Sequence, residues 1–471
     1  MKITGLLVCC FAYGHYVSTT PTYDTIVVGL GSAGTTAAST LAKAGKRVLA
    51  LEAQDRVGGR VKTVPFGDGV VEEGGEWIQG TVNNRVYDTA VNNNISLLNQ
   101  DLDLFIFRSD GGLGNTSVIK ELLDYCLEEK KPERPEILGS FITRKLKEYL
   151  KQKYPDLLKD EDFVTQLLEM VAQLINSYEA FDDWNNVSTY SGFVPLEGHQ
   201  YVSWHQYGYR TFFQLLLNTY NNGPGLPTLD IKLNKEVASI TWPRDSVGKV
   251  EVLCKDGDVY TADNVIVTVS LGVLKERQAS LFSPPLPTEK VNVIDKMSIG
   301  VLAKIILNFE KEWLPNGTVF GFLWSGEELR KVSKEDLWTT KIYSFSRPMG
   351  LRTAITFWAS GDVGRQVEIM PDEIVKTKVM ELLRKFLGKT INVPEPIGMI
   401  RSSWFNNPYT RGSYSYENIF VAENPNARSR LGEPLVDIEG NPKVLFAGEA
   451  TVVTHYATVN GASDSGYREA M

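Results

Sequence analysis

One stretch near the start of the chain, TYDTIVVGLGSAGTTAASTLAKAGKRVLALEA, restricts the fold more than any other. Thr25 to Val28 is a continuous apolar run rich in β-branched residues, and Arg47 to Leu51 repeats that character before Glu52. Between them Ala33 to Ala44 is rich in alanine and other small residues and has helical composition. Strand, turn, helix and strand in that order make a βαβ unit, and a strand apolar on every side implies a sheet covered on both faces. The turn, GLGSAG, puts Gly29, Gly31 and Gly34 in G-x-G-x-x-G spacing. The first glycine permits the tight turn, the second lets the backbone approach a pyrophosphate, and the third packs helix against strand. The helix N-terminus then faces the phosphates with its partial positive charge. Glu52 follows Gly34 by eighteen residues at a strand end, where a carboxylate accepts hydrogen bonds from an adenosine ribose. The fold class is expected to be α/β, opening on a Rossmann-like dinucleotide unit.

The rest of the chain changes character. Glu121 to Lys153 is charged and helix-like, with EEKKPERPE as a solvated loop, and Asp160 to Tyr178 and Gly208 to Tyr220 also read as helices. Strands return in LDIKLNKEVASITW, KVEVLCKDG and NVIVTVS, whose alternation suits half-buried antiparallel pairing. A helix is predicted over Asp372 to Leu387, and a last strand over Lys443 to Ala450. With 471 residues there is room for two domains, built from discontinuous segments because strand-rich pieces return after a helical middle. The net charge of -8 makes the chain a poor general nucleic-acid binder and a better host for cations.

The N-terminus, MKITGLLVCCFAYGHYVSTTP, is similar to a secretory signal peptide over residues 1–20, with an apolar run too short to span a membrane. Asn115, Asn186 and Asn316 each head an N-glycosylation triplet, so the expectation is a secreted glycoprotein. Beyond that leader only Cys126 and Cys254 remain, able to pair but making no disulfide framework. The histidines are His15, His199, His205 and His455, with no ligand cluster, so no catalytic metal is expected.

Directly after Glu52 comes AQDRVGGRV, an R-x-G-G-R with Arg56, Gly58, Gly59 and Arg60. Further on stand GGEWIQG, NKEVASI, VIVTVSLGVLK, RSSWFNNPYTRGSYSY and LFAGEATVVTHYATVNGASDSGYREA. In this order the motifs resemble the flavin-containing amine oxidases, and within that family the polyamine oxidases of animals, over essentially the whole chain after the leader. The resemblance implies an FAD-binding Rossmann-like domain over 22–90, 225–300 and 421–471, with an α+β substrate domain over 91–224 and 301–420. It implies oxidation of a polyamine to an imine, with O2 reduced to H2O2. Residue by residue, it places Gly29, Gly31, Ser32, Ala33, Gly34, Glu52, Ala53, Arg56, Gly59 and Arg60 against the dinucleotide. Trp77, Ile78, Trp404, Gly448, Glu449, Thr458 and Val459 fall by the flavin, and Val237 by the adenine. Tyr414 is an aromatic wall for the substrate, joined by Gln79, Thr458 and Glu197. Gly412, Ser413 and Tyr414 stand where monoamine oxidases carry a cysteine for covalent attachment, so FAD is expected to be noncovalent.

Lys304 sits inside the apolar run of SIGVLAKIILNFEK. Taken alone it reads as a solvent-facing or strand-edge lysine, since lysines are mostly exposed. The resemblance reverses this and makes Lys304 the catalytic residue, holding a water beside flavin N5. Two departures touch the amine site: Gln79 and Ala457 replace the histidine and serine frequent in the animal branch, and Gln79 cannot act as a base. Glu179, Asp182, Asp183 and Glu197 are candidate partners for distal ammonium groups. The rival readings are an L-amino-acid oxidase, for which Arg210 or Arg347 would have to hold a carboxylate, and a flavin-binding protein with little catalysis.

Overall fold

The computed structural model describes residues 22–110, 116–128 and 132–471; the leader over 1–20 and Asn115 lie outside the described residues. Strand β1 (Tyr23–Val28), helix α1 (Ser32–Lys43) and strand β2 (Val48–Leu51) form the expected βαβ unit. β1 pairs in parallel with β2 on one side and with the end of the Val259–Val267 strand on the other. Leu229–Lys232 adds in parallel beyond β2, and Pro442–Phe446 adds in parallel beyond Val259–Val267. Their carboxyl ends therefore share one edge. There the chain continues into Gly29–Gly31, Glu52, Thr268–Ser270 and Ala447–Glu449, the crevice where open α/β sheets bind ligands.

The antiparallel expectation needs correction in two places. Val237–Thr241 and Val250–Cys254 do pair antiparallel. Leu229–Lys232, however, is a separate parallel strand, and Val259–Val267 pairs antiparallel in its first half and parallel in its second. The cause is coverage: Val265, Ile266 and Val267 are all buried, so alternation gives way to a continuous run where helices pack on both faces. One of these covers is the helix Val459–Ala470, which meets α1 closely. A Cβ on Gly466 would lie 2.0 Å from the Ala33 carbonyl oxygen, and Thr36 Oγ1 and Ser463 Oγ are 2.9 Å apart. The Gly208 to Tyr220 helix is shorter than expected, Arg210–Leu216, and positive φ at Asn218, Asn221 and Asn222 turns the chain away.

A six-stranded sheet forms the second core, in the order Gly398–Arg401, Leu302–Asn308, Ala354–Ser360, Ser344–Ser346, Val319–Leu323 and Leu104–Arg108. Helix Asp372–Leu387 covers one face through Val375, Val379, Leu383 and Phe386, against Phe320, Phe345 and Phe357. Helix Glu161–Glu179 packs toward the same sheet with the separate core of Leu167, Met170 and Val171. Alternation along Leu302–Asn308 sends Ala303, Ile305 and Leu307 into the phenylalanine-rich core. Lys304 and Ile306 go to the opposite face, where Ile306 packs with Val71 of the hairpin Thr63–Phe66/Gly69–Glu72. Both faces are covered, which is why the run around Lys304 is apolar on every side.

Cys126 and Cys254 are both free and buried, and the option of a disulfide between them is withdrawn: they belong to different cores. Asn186 and Asn316 are exposed. Among the described residues no helix is long and apolar enough to cross a membrane.

Candidate active site

The dinucleotide cradle is built from backbone. Gly29 has φ +93°, and a Cβ on Gly34 would lie 1.9 Å from the Gly29 oxygen and 2.8 Å from Thr268 Oγ1. The R-x-G-G-R loop folds over this turn: Gly58 N–H donates to Leu30 O at 2.7 Å, and a Cβ on Gly59 would stand 3.1 Å from Gly31 Cα. α1 begins after Gly31 with no side-chain cap, so its first N–H groups are left for an anion, as a diphosphate requires. Glu52 is buried at the strand end and accepts from Leu30 N at 2.7 Å and Gln54 N at 2.9 Å; burial pushes its carboxyl up. Ala53 lies partly buried beside it, Ala33 is buried against Gly466, and Ser32 Oγ donates to Val459 O. Val237 is buried at the start of its strand, opposite Cys254.

The far end of the cradle is charged. Arg60 donates to Glu449 Oε1 at 2.9 Å and to Ser413 O at 2.8 Å. Glu449 also accepts from Ser415 Oγ at 2.6 Å and from Ala457 N at 3.1 Å. Burial would raise its carboxyl, but Arg60, Ser415 and Arg428 outweigh burial and hold it below the usual carboxylate range. A Cβ on Gly75 would lie 3.0 Å from Val459 Cγ2, and one on Gly74 3.0 Å from Trp404 Cζ2, so these segments converge behind Arg60. Trp404 is buried and donates to Glu73 O at 3.2 Å. Space opens beside Gly448, where an added Cβ would meet nothing within 4 Å.

Two expected ligand side chains are spent otherwise. The Arg56 guanidinium donates to the carbonyls of Val57, Gly59 and Val61, so it staples its own loop. Thr458 Oγ1 accepts from Gly461 N and donates to His455 O, which makes it the N-cap of Val459–Ala470 and leaves that helix terminus facing the cradle.

The amine side gathers around Lys304, which is 3% exposed. Its Nζ donates to Glu76 Oε2 at 2.7 Å and to Glu72 O at 3.0 Å, and lies 4.6 Å from the centroid of the Trp358 ring. Trp77 stacks on Trp358 at 5.9 Å and meets Tyr201 edge-on at 5.6 Å; its Nε1 donates to Gln100 Oε1. Ile78 is fully buried and pairs with Val202. Gln79 follows, partly buried. Glu197 is exposed on a loop whose Glu197 carbonyl accepts from Thr81 and Val82, so it stands at the rim beside Gln79. The Tyr414 hydroxyl donates to Ser177 O and Tyr178 O at 3.2 Å each, tying the aromatic wall to the end of the long helix.

The acidic candidates separate. Asp182 is held by Arg365 at 2.9 Å, and Asp183 accepts from Asn185 N. Glu179 is partly buried near Tyr414, and burial pushes its carboxyl up to about 7 against the pull of Arg428. Arg210 is exposed, and Arg347 is engaged by Glu312 at 3.0 Å and by the carbonyls of Leu314 and Pro315. Sequence reasoning missed Glu76, Trp358 and Tyr201. For Glu76 a signal existed: a lysine inside a covered strand demands a buried counter-charge, and Glu76 lies in GGEWIQG.

Two measurements follow from this geometry. Ala457 has φ +60°, so Ala457→Gly should stabilise the protein by about 0.5–1 kcal/mol, read as a higher thermal midpoint. Glu72 accepts from Tyr209 N and Thr63 Oγ1, and burial pushes its carboxyl from 4.5 up to about 8. A raised carboxyl binds its proton more tightly in the folded state, so its favourable contribution is lost as pH rises from about 5 to about 8. Glu72→Gln should therefore raise the thermal midpoint near the top of that window and change it little at the bottom; an equal shift at both ends would refute the assignment.

Fold and site together fit a dinucleotide-dependent oxidoreductase: a βαβ turn open to phosphate, an uncapped helix terminus and a buried lysine beside the stacked rings of Trp358 and Trp77. The sequence matches the family described as flavin containing amine oxidoreductase over residues 32–471, and the chain belongs to that family. It is similar to the peroxisomal N(1)-acetyl-spermine/spermidine oxidase of Bos taurus, 31% identical over 94% of this chain and 93% of the relative. The Homo sapiens protein of that name is 30% identical at the same coverage. Among solved structures, a redesigned putrescine oxidase double mutant superposes with a TM-score of 0.66 at 17% identity, covering 95% of this chain and 98% of that one. These relatives overturn the expectation of secretion. Both mammalian oxidases are peroxisomal by name, and a short apolar N-terminal run with N-x-S/T triplets is too weak a pattern to stand against them.

Proposed function

We propose that this protein oxidises a secondary amino group of spermine, spermidine or their acetylated forms at Lys304, with FAD held noncovalently. The single observation that carries the reading is the Lys304 ammonium, buried on the one face of its strand that looks away from the phenylalanine-rich core. When bound, FAD takes two electrons and hydrogen from the carbon beside the amine and passes the electrons to O2, leaving H2O2 and an imine that water splits to an aminoaldehyde and an amine.

The chain's own residues do the rest. The turn at Gly29, Gly31 and Gly34, with Gly59 above it, would hold the diphosphate; Glu52 would take the ribose; Arg60 and Glu449 would fix the ribityl end. Trp77, Trp358, Tyr201 and Tyr414 exclude water, which favours the neutral amine needed for oxidation. Glu179 and Glu197 carry no ion pair among the described residues and are the acids left for distal ammonium groups. Gln79 orients without titrating. Lys304 donates to a water or to oxygen. Noncovalent attachment is supported by Ser413, whose hydroxyl accepts from Leu302 N where a cysteine would be needed. The division into 22–90, 225–300 and 421–471 for the cofactor, and 91–224 and 301–420 for the substrate, is supported by the two large sheets, each of which draws its strands from one of the two sets; the short pairings of Trp77–Ile78 with Val202–Ser203 and of Ser298–Ile299 with Ser415–Tyr416 cross it.

A peroxide assay on FAD-loaded protein with spermine, spermidine, their acetyl forms and L-amino acids tests this. Turnover of the polyamines is expected. Turnover of L-amino acids alone would replace the reading with an amino-acid oxidase, against which the engagement of Arg347 weighs. No peroxide from any amine would leave a flavin-binding protein with little catalysis.

A further inference from the structure

An ammonium group has three N–H donors. On Lys304 two are committed, one to Glu76 Oε2 at 2.7 Å and one to the Glu72 carbonyl at 3.0 Å. Both acceptors belong to one short stretch, the end of Gly69–Glu72 and the turn leading to Trp77–Ile78. The Trp358 ring closes another side. The direction of the remaining N–H is thereby set. The two side chains are 4% and 6% exposed, so water does not compete for the pair. Among the described residues the Glu76 carboxylate has no other hydrogen bond. It is not a group shared with a second task; it serves the lysine.

We propose that Glu76 is a positioning residue for the oxidation: its carboxylate holds the Lys304 ammonium in place and aims its remaining N–H at the reacting face. The proposal rests on the reading of Lys304 given above. Without the carboxylate, a buried ammonium has no counter-charge and must recruit water or swing away. Glu76→Gln keeps the shape and one acceptor and removes only the charge. Glu76→Asp keeps the charge and shortens the reach.

FAD-loaded wild type, Glu76→Gln, Glu76→Asp, Lys304→Met and the double variant Glu76→Gln/Lys304→Met are compared in three ways. Oxidised protein is mixed rapidly with spermine, reduced protein is mixed rapidly with O2, and thermal unfolding is followed. Glu76→Gln is expected to slow whichever step Lys304→Met slows, by about tenfold or more, and Glu76→Asp to recover part of that loss. The single effects should fail to add in the double variant, in both rate and thermal midpoint, because the two groups act as one unit. Wild-type rate constants in Glu76→Gln beside a slow Lys304→Met overturn the proposal and leave Lys304 in place. Additive effects overturn it too, as does a Glu76→Gln protein that loses thermal stability while its FAD-loaded fraction reacts at wild-type rates. Wild-type steps in Lys304→Met remove the lysine reading and the proposal with it. Should Glu76→Gln retain no FAD, Glu76→Asp decides: a slowed step in its loaded fraction supports the proposal, and wild-type rates overturn it.

Discussion

Replacing Lys304 by methionine should slow at least one half-reaction by about a hundredfold or more, the range over which a placed proton donor acts. Methionine keeps the length and apolar stem of the side chain, so the packing against Trp358 survives while the donor to Glu76 and the Glu72 carbonyl is lost. The variant also leaves the Glu76 carboxylate buried without its counter-charge, and breaking one side of such a pair costs about 3–5 kcal/mol. Rate and stability must therefore be separated by stopped-flow measurement of flavin reduction and reoxidation on the loaded fraction. If both proceed at wild-type speed, Lys304 is a structural lysine and the chemistry lies elsewhere.

The second large effect belongs to Gly34. Gly34→Ala places a Cβ 1.9 Å from the Gly29 oxygen and 2.8 Å from Thr268 Oγ1. Neither neighbour can move cheaply. The Gly29 carbonyl is part of the turn itself, and Thr268 Oγ1 already donates to Val28 O and Gly29 O. The helix must back away from the strand, opening the gap by which its N-terminus meets the diphosphate. The expected result is a loss of about 1–3 kcal/mol of stability and protein that leaves gel filtration without its flavin absorbance band. Retention of FAD at wild-type stoichiometry would show that the close approach of α1 and β1 is not required.

Much of this could be read from sequence, for physical reasons that differ by element. The βαβ unit was legible because its apolar strands and small-residue helix carry two different periods with glycines between them. Asp372–Leu387 was legible to the residue because Pro371 precedes it and Gly388 follows it. Pairing partners were not: alternation in Val259–Val267 says how the strand is covered and nothing about which neighbour runs parallel. The tasks of Arg56 and Thr458 were hidden for another reason. Their side chains are taken by nearby carbonyls and N–H groups, and such local competitors leave no mark in residue type. Glu76 was overlooked because it sits among glycines of a cofactor segment, while the lysine that needs it lies more than two hundred residues away.

The parallel sheet takes one partner, Pro442–Phe446, from more than four hundred residues after β1, and the helix that follows packs on α1 through Gly466. During synthesis the nucleotide turn therefore emerges early and waits until Pro442–Phe446 and the helix Val459–Ala470, more than four hundred residues later, have been made. Completing the cradle thus couples two segments far apart in the chain, one that carries the dinucleotide signature and one that closes the sheet and helix beside it.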